Sequence, residues 1–362
     1  MSGLSLTGWG ALLGIAIASV STLLENCAIA QITADTTLPI NSRIDPINSS
    51  DGNILFINGG TPSGSNLFHS FRNFSVPENT VAVFNNASNI QNIISRVTGG
   101  SVSKIDGLIY ANGTANLFLI NPSGIIFGKN ASLNIGGSFV ATTANAIAFG
   151  NQGIFSATNP ESSPSLLTVN PSALLFNQIK TAPIQYNSVA PSDLNPTGLS
   201  VLDGKSLLLV GGDININGGT LNAFGGRVEL GGLAGAGMVG LNVDGNNLSL
   251  SFPNSVEKSD VFLSNNAGVD VAAGDGGSIA VNARNLEMTE KSGLYAGIYS
   301  GLGSSNSKAG NIEVNATGAI SLDNGSLIAN QVQPKANGQG GDVNISASTL
   351  QVEGGAIVSA ST

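Results

Sequence analysis

From residue 32 onward the chain shows almost no 3.6-residue periodicity. Short apolar or alternating runs sit between turns rich in Gly, Asn and Ser: residues 53–57, 81–84, 107–110, 116–120, 125–127, 132–135 and 139–141. Runs of this length, punctuated in this way, predict short strands and an all-β chain.

The C-terminal part repeats itself. Gly276-Gly277-Ser278-Ile279-Ala280-Val281-Asn282-Ala283 returns as Ala309-Gly310-Asn311-Ile312-Glu313-Val314-Asn315-Ala316, and again as Gly340-Gly341-Asp342-Val343-Asn344-Ile345-Ser346-Ala347. Each copy continues into two more strand-like runs: 286–288 then 294–296, 320–322 then 327–329, and 350–352 then 356–358. Three short strands per repeat with glycines at the corners describe one coil of a solenoid. The fold expected is a right-handed parallel β-helix, single-stranded and pectin-lyase-like, since parallel crossovers are right-handed. Residues 206–210, 213–217, 220–223 and 227–230 fit the same scheme with tighter corners. At about 4.8 Å per coil, roughly 10 to 15 coils would form a rod of about 50–70 Å. The repeat runs up to Thr362, where another coil would be expected to begin.

Prolines 160, 164, 171, 183, 191 and 196 crowd one segment. Proline is unwelcome in a central ladder, so residues 156–200 read as an excursion or linker between two β-helical parts, 31–155 and 201–362.

Composition sharpens the architecture. Charged residues make up 10% of the chain, against about 25% in an ordinary domain, while Gly supplies 48 positions and the net charge is −9. With 41% apolar residues the chain can bury a large core, so disorder is excluded. The glycines lack a three-residue period, which excludes collagen. An acidic, lysine-poor chain is a poor polyanion binder, so nucleic acid is not an expected partner. Like charges stacked at the coil spacing repel, whereas Asn, Ser, Thr and Gly do not.

Residues 8–24 form the one long apolar run, and Ala28-Ile29-Ala30 offers an A-x-A cleavage site, so 1–30 reads as a signal peptide. No Lys or Arg precedes the run. A membrane anchor fits worse, because the stretch is short of about 20 residues, and no stable membrane insertion is expected. Leu24-Glu25-Asn26-Cys27 is a poor lipidation site. Cleavage after Ala30 would leave a chain without cysteine, free of cross-links that would block passage through a narrow pore.

Residues 31–149 resemble the secretion domain of the filamentous haemagglutinin family, the large exoproteins of two-partner secretion (TPS) in Gram-negative bacteria. Gln31–Leu38, Gln91–Gly99 and above all 116–128 (NLFLINPSGIIFG) carry the likeness. Phrases further on, such as Gly225–Gly232, resemble the cyanobacterial branch. The family's usual turn is Asn-Pro-Asn-Gly; Ser123 here replaces its second Asn. The resemblance implies capture of residues 31–155 by a dedicated outer-membrane transporter after Sec export. It implies secretion to the medium or cell surface, and an adhesin or rod that meets a surface receptor or glycan. Asn116, Asn121, Pro122, Ser123 and Gly124 are the candidate secretion motif.

Read without the family, Asn121–Gly124 is a type I turn with each residue in place, which favours corner formation over direct contact with the transporter. Asn170-Pro171-Ser172, 49 positions later, suggests a second copy of the same strand–turn–strand arrangement.

Chemistry is sparse. His69 is the only histidine, and no Cys or paired acid accompanies it. The alternative reading is a polysaccharide lyase or hydrolase on a β-helix, needing acids convergent from neighbouring coils. Asp260, Asp270, Asp275, Lys258 and Arg284 are its nearest approximation. The 274–277 segment lacks the order of a calcium nonapeptide, and 231–240 lacks a P-loop lysine. No catalytic residue, metal or cofactor is expected.

Overall fold

The computed structural model describes residues 32–49, 52–160, 164–191 and 197–362. The expected leader, with Cys27, lies outside the described residues.

Within them the chain winds as a parallel β-helix of three faces. The first is an eleven-stranded sheet; two of its strands, Thr33–Ala34 and Thr61–Ser63, pair antiparallel at the N-terminal end. The other nine run parallel: Asn66–Asn73, Asn92–Val97, Asn116–Ile120, Phe139–Thr142, Ser206–Gly211, Arg227–Gly232, Ser278–Ala283, Ile312–Ala316 and Val343–Ser346. The second face is an eight-stranded parallel sheet, and the third is made by two sheets in succession. Nine coils at about 4.8 Å give a stack of about 40 Å, shorter than the length expected from sequence. The reason is that residues leave the stack twice, after Thr142 and after Gly232.

Those departures build a second layer. Ala146–Ala148, Ile154–Ser156, Ala173–Phe176, Gly237–Asp244 and Asn247–Ser251 form a five-stranded sheet, antiparallel throughout. It lies on the outer side of the first face and shares with it a separate apolar cluster that includes Phe68, Ile94, Phe118, Val140 and Leu208. The 156–200 span thus supplies an outer strand, then returns to the stack as Ile184–Tyr186, in register between Ile125–Phe127 and Ile214–Asn217. The interior cluster is continuous from Ile32 to Ile328.

The three C-terminal repeats stack as the sequence anticipates, Ile279 beside Ile312 beside Val343. Their glycine corners have a steric cause. A Cβ on Gly310 would meet the Gly277 carbonyl oxygen at 2.5 Å, and Gly341 stands in the same relation to Gly310.

Candidate functional site

Asn121–Gly124 turns the chain from the first face to the second. The Gly124 amide donates to the Asn121 carbonyl (3.1 Å), closing the turn. Gly124 has φ +113°, a region that disfavours a side chain. The Asn121 side chain is buried and fully used. Its Oδ1 accepts from the Ser123 amide (2.9 Å), and its Nδ2 donates to the Ser101 carbonyl and to Ser103 Oγ, both at 2.9 Å, in the preceding coil. Pro122 is buried and Ser123 half-buried. Only the backbone amide of Ser123 takes part, which is why Ser fits where the family carries Asn.

Asn170-Pro171-Ser172 behaves differently, and the expectation of a second such corner is corrected. A 3₁₀ turn, Pro164–Leu166, precedes it in place of a strand. Asn170 Oδ1 accepts from Asn92 Nδ2 at 3.0 Å. Ala173 stands where Gly124 stands in the first copy, and Ala does not favour that backbone conformation.

Asn116 belongs to a polar column that sequence reading did not connect. Asn66, Asn92 and Asn116 start three successive strands of the first face in direct register. Asn92 Nδ2 donates to Asn66 Oδ1 (2.9 Å) and Asn116 Nδ2 to Asn92 Oδ1 (3.0 Å). The same amides hold the outer layer. Asn66 Nδ2 donates to the carbonyls of Leu167 (2.9 Å) and Val169 (2.7 Å), and Asn116 Nδ2 to that of Gly245 (3.0 Å). Asn246 Nδ2 returns a bond to Asn116 Oδ1 (2.9 Å). Ser138 Oγ donates to the Asn246 carbonyl, and Ser206 Oγ accepts from the Leu248 amide (3.0 Å). Asn116 is therefore where the 237–251 hairpin is pinned to the stack.

A second buried centre joins the N-terminal strand to the same layer. Arg96 is fully buried. Its guanidinium donates to Ser70 Oγ (2.8 Å), Thr37 Oγ1 (2.9 Å) and the carbonyls of Ser156 (2.7 Å) and Pro160 (3.2 Å), and lies 4.1 Å from the Phe155 ring centroid. Ser70 and Thr37 in turn donate to Asp35 at 2.8 and 2.7 Å, and Thr98 Oγ1 donates at 2.6 Å. Two hydroxyls thus relay between the guanidinium and the carboxylate. Burial draws the Asp35 carboxyl up, but these hydrogen bonds outweigh it and hold it below the usual carboxylate range. Burial lowers Arg96 to about 10, opposed by Asp35, so both groups stay charged at neutral pH.

His69 faces the interior of the first coil. Its Nδ1 pairs with Ser42 Oγ at 2.9 Å, its ring lies between Phe71 and Phe84, and Nε2 has no partner. Burial lowers it to about 3, so it is neutral. It touches solvent nowhere, and no substrate reaches it.

The residues weighed for a lyase are spread around one coil. Asp260, at the corner entering the second face, accepts from Arg284 Nε (2.9 Å) and from the amide and side chain of Asn285 (3.1 and 2.9 Å). Asp270 lies on the third face, and Asp275 caps the Lys308 amide at 2.7 Å at the corner beyond it. Lys258 Nζ donates to the Asn315 carbonyl at 3.4 Å. Among the described residues no group of three His, Cys, Asp or Glu could hold a metal ion.

The chain is similar to several known proteins. The family model described as TPS secretion domain matches residues 30–281. The heme/hemopexin-binding protein of Haemophilus influenzae is 34% identical over 94 residues; the match covers 26% of this chain and 10% of that protein, so this chain spans only a small part of that relative. Among solved structures, the HMW1 secretion domain from Haemophilus influenzae is 17% identical, covering 90% of this chain and 98% of that one, with a TM-score of 0.47. The filamentous hemagglutinin secretion domain is 16% identical, covering 92% and 100%, with a TM-score of 0.42.

Proposed function

The chain belongs to the TPS secretion domain family, and from that membership we propose that residues 31–155 open the unit an outer-membrane transporter captures. Proteins of this family are two-partner secretion exoproteins that leave a Gram-negative cell through such a transporter. The observation that carries the reading is the family match over residues 30–281, which takes in the first coils together with the whole outer layer.

On this reading Asn116, Asn121, Pro122, Ser123 and Gly124 serve recognition by folding the unit. Asn121 forms the corner, and Asn116 pins the outer hairpin. The captured unit extends beyond 155, because the apolar outer side of Phe68, Ile94 and Phe118 shares its cluster with Val239, Leu241 and Leu248. Delivered by its leader to the periplasm, the chain is secreted or held at the surface of a Gram-negative, cyanobacterial-type cell. There its coils form a non-enzymatic rod or adhesin for a surface receptor or glycan.

The test is a passenger experiment. Residues 1–281 fused to a soluble reporter should bring the reporter out of a Gram-negative host only when a cognate two-partner secretion transporter is co-expressed. Residues 1–236 should do so poorly. Equal export with and without the transporter contradicts the reading.

A further inference from the structure

Among the described residues most phenylalanines are buried. One place gathers three half-buried aromatic side chains. On the third face and its corner toward the first, Phe224, Tyr295 and Tyr299 come together around Asp270, with Leu302 48% exposed beside them. Tyr295 follows Asp270 in the outward column of adjacent coils. Tyr299 Oη donates to Asp270 Oδ2, while Oδ1 accepts from the Ala272 amide at 3.0 Å. The Phe224 and Tyr299 rings are 6.2 Å apart at 59°.

Two features point to a ligand class. First, Tyr295 folds back along its own strand, so that the tip of the phenol occupies the space a Cβ on Gly293 would take. The phenol therefore lies back over its own strand, and Tyr295 stays half-buried, with part of its ring open to solvent as a platform. Second, Asp270 is a half-buried carboxylate with no ion pair among the described residues. Burial lifts its carboxyl above the usual carboxylate range, with only the Tyr299 and Ala272 hydrogen bonds acting against it. A carboxylate accepts about four hydrogen bonds, so acceptor capacity remains beside the platform.

We propose that this patch is a carbohydrate-binding site, in which the C–H face of a neutral pyranose stacks on Tyr295 and its hydroxyls donate to Asp270. An aromatic face carries negative charge and attracts the weakly positive C–H hydrogens. A desolvated carboxylate is satisfied by hydroxyl donors without a cation. An enclosed aromatic cage would suit a quaternary ammonium, but a flat, open ring suits a sugar. The proposal rests on the reading of the later coils as an outward-facing rod, and a binding measurement can fail while export succeeds.

The test is calorimetric titration of the full chain with cellohexaose, chitohexaose and maltohexaose, and with choline chloride. At least one oligosaccharide should bind. Tyr295→Ala and Asp270→Asn should each weaken it by about tenfold, the weight of one lost stacked ring or charged acceptor. Tyr295→Phe, which keeps the platform, should bind as the parent does, and a far-UV dichroism spectrum of Tyr295→Ala equal to the parent's separates its lost binding from loss of fold. Gly293→Val, which displaces the ring without removing it, should weaken binding as well. No binding of any of the three sugars overturns the proposal. So does binding unaffected by Tyr295→Ala, or binding of choline in place of sugar.

Discussion

Single residues in this protein act mainly by satisfying buried polar groups across coils. Asn121→Ala removes two donors to the preceding coil and the acceptor that shapes the turn. The expected loss is about 2 kcal/mol, read as a lower urea midpoint. Ser123→Ala, which keeps the backbone amide, should leave the midpoint within about 0.5 kcal/mol of the parent. Equal losses for the two would mean that the Ser123 side chain matters in a way the turn does not explain. Arg96→Met strands Asp35 and several carbonyls beneath the outer layer, so a loss of about 3–5 kcal/mol is expected.

His69 gives a pH dependence whose sign follows from its environment. The folded group titrates at about 3 and the unfolded one at 6.5, so between these values the unfolded chain binds a proton that the folded chain excludes. Stability is therefore full above pH 6.5 and falls as the medium is acidified, by about 2 kcal/mol at pH 5. Asp35, held low, adds a further loss only below the ordinary carboxylate range. Urea midpoints at pH 7 and pH 5 measure the first effect, and His69→Phe should flatten it. An unchanged slope in that variant would assign the acid sensitivity elsewhere.

At the scale of elements, the polar column and the outer layer form one device. The outward column of the first face reads Phe68, Ile94, Phe118, Val140 and Leu208 under the layer, then Glu229, Ala280, Glu313 and Asn344. Glu229 sits at the boundary, fully buried, paired with Arg227 and accepting from the Leu250 amide at 3.1 Å. Deleting 237–251 should uncover Val140 and Leu208 and give strong binding of a hydrophobic dye at unchanged far-UV dichroism. Dye binding equal to the parent's would show that the layer closes without the hairpin.

Much of the helix was legible, because coil repeats such as 276–283 and 309–316 align residue by residue and short strands end at Gly, Asn and Pro. The outer layer was not read, although it left a trace. Covered strands run apolar without a break, as in Leu117–Ile120 and Leu207–Val210, while uncovered ones alternate, as in Ile312–Ala316. A strand buried on both faces carries that continuous pattern. The candidate site was half legible. The Asn121 turn can be read from local preferences, but the Asn116 column joins residues up to 130 positions apart, and no local signal carries such pairing.

At the scale of the whole molecule, low charge and abundant glycine follow from stacking. Each coil places like residues beside like, and each corner brings carbonyls close to the next coil, as at Gly277 and Gly310. A chain folding coil on coil can pass a pore as a thread and fold beyond it. Asn282 and Asn315 are register partners in adjacent coils, at about the spacing a disulfide spans. Replacing both by Cys should slow export under oxidising conditions and spare it under reducing ones. Unimpeded export of the cross-linked chain would contradict passage as a thread.

The central claim is that the first coils deliver the chain to its transporter. The most direct measurement is the amount of this protein reaching the medium or a protease-accessible surface, with transporter co-expressed, for the full chain and for a deletion of residues 31–155. The account predicts that the full chain is exported and the deletion stays in the periplasm. Export of the deletion at the level of the full chain would contradict it.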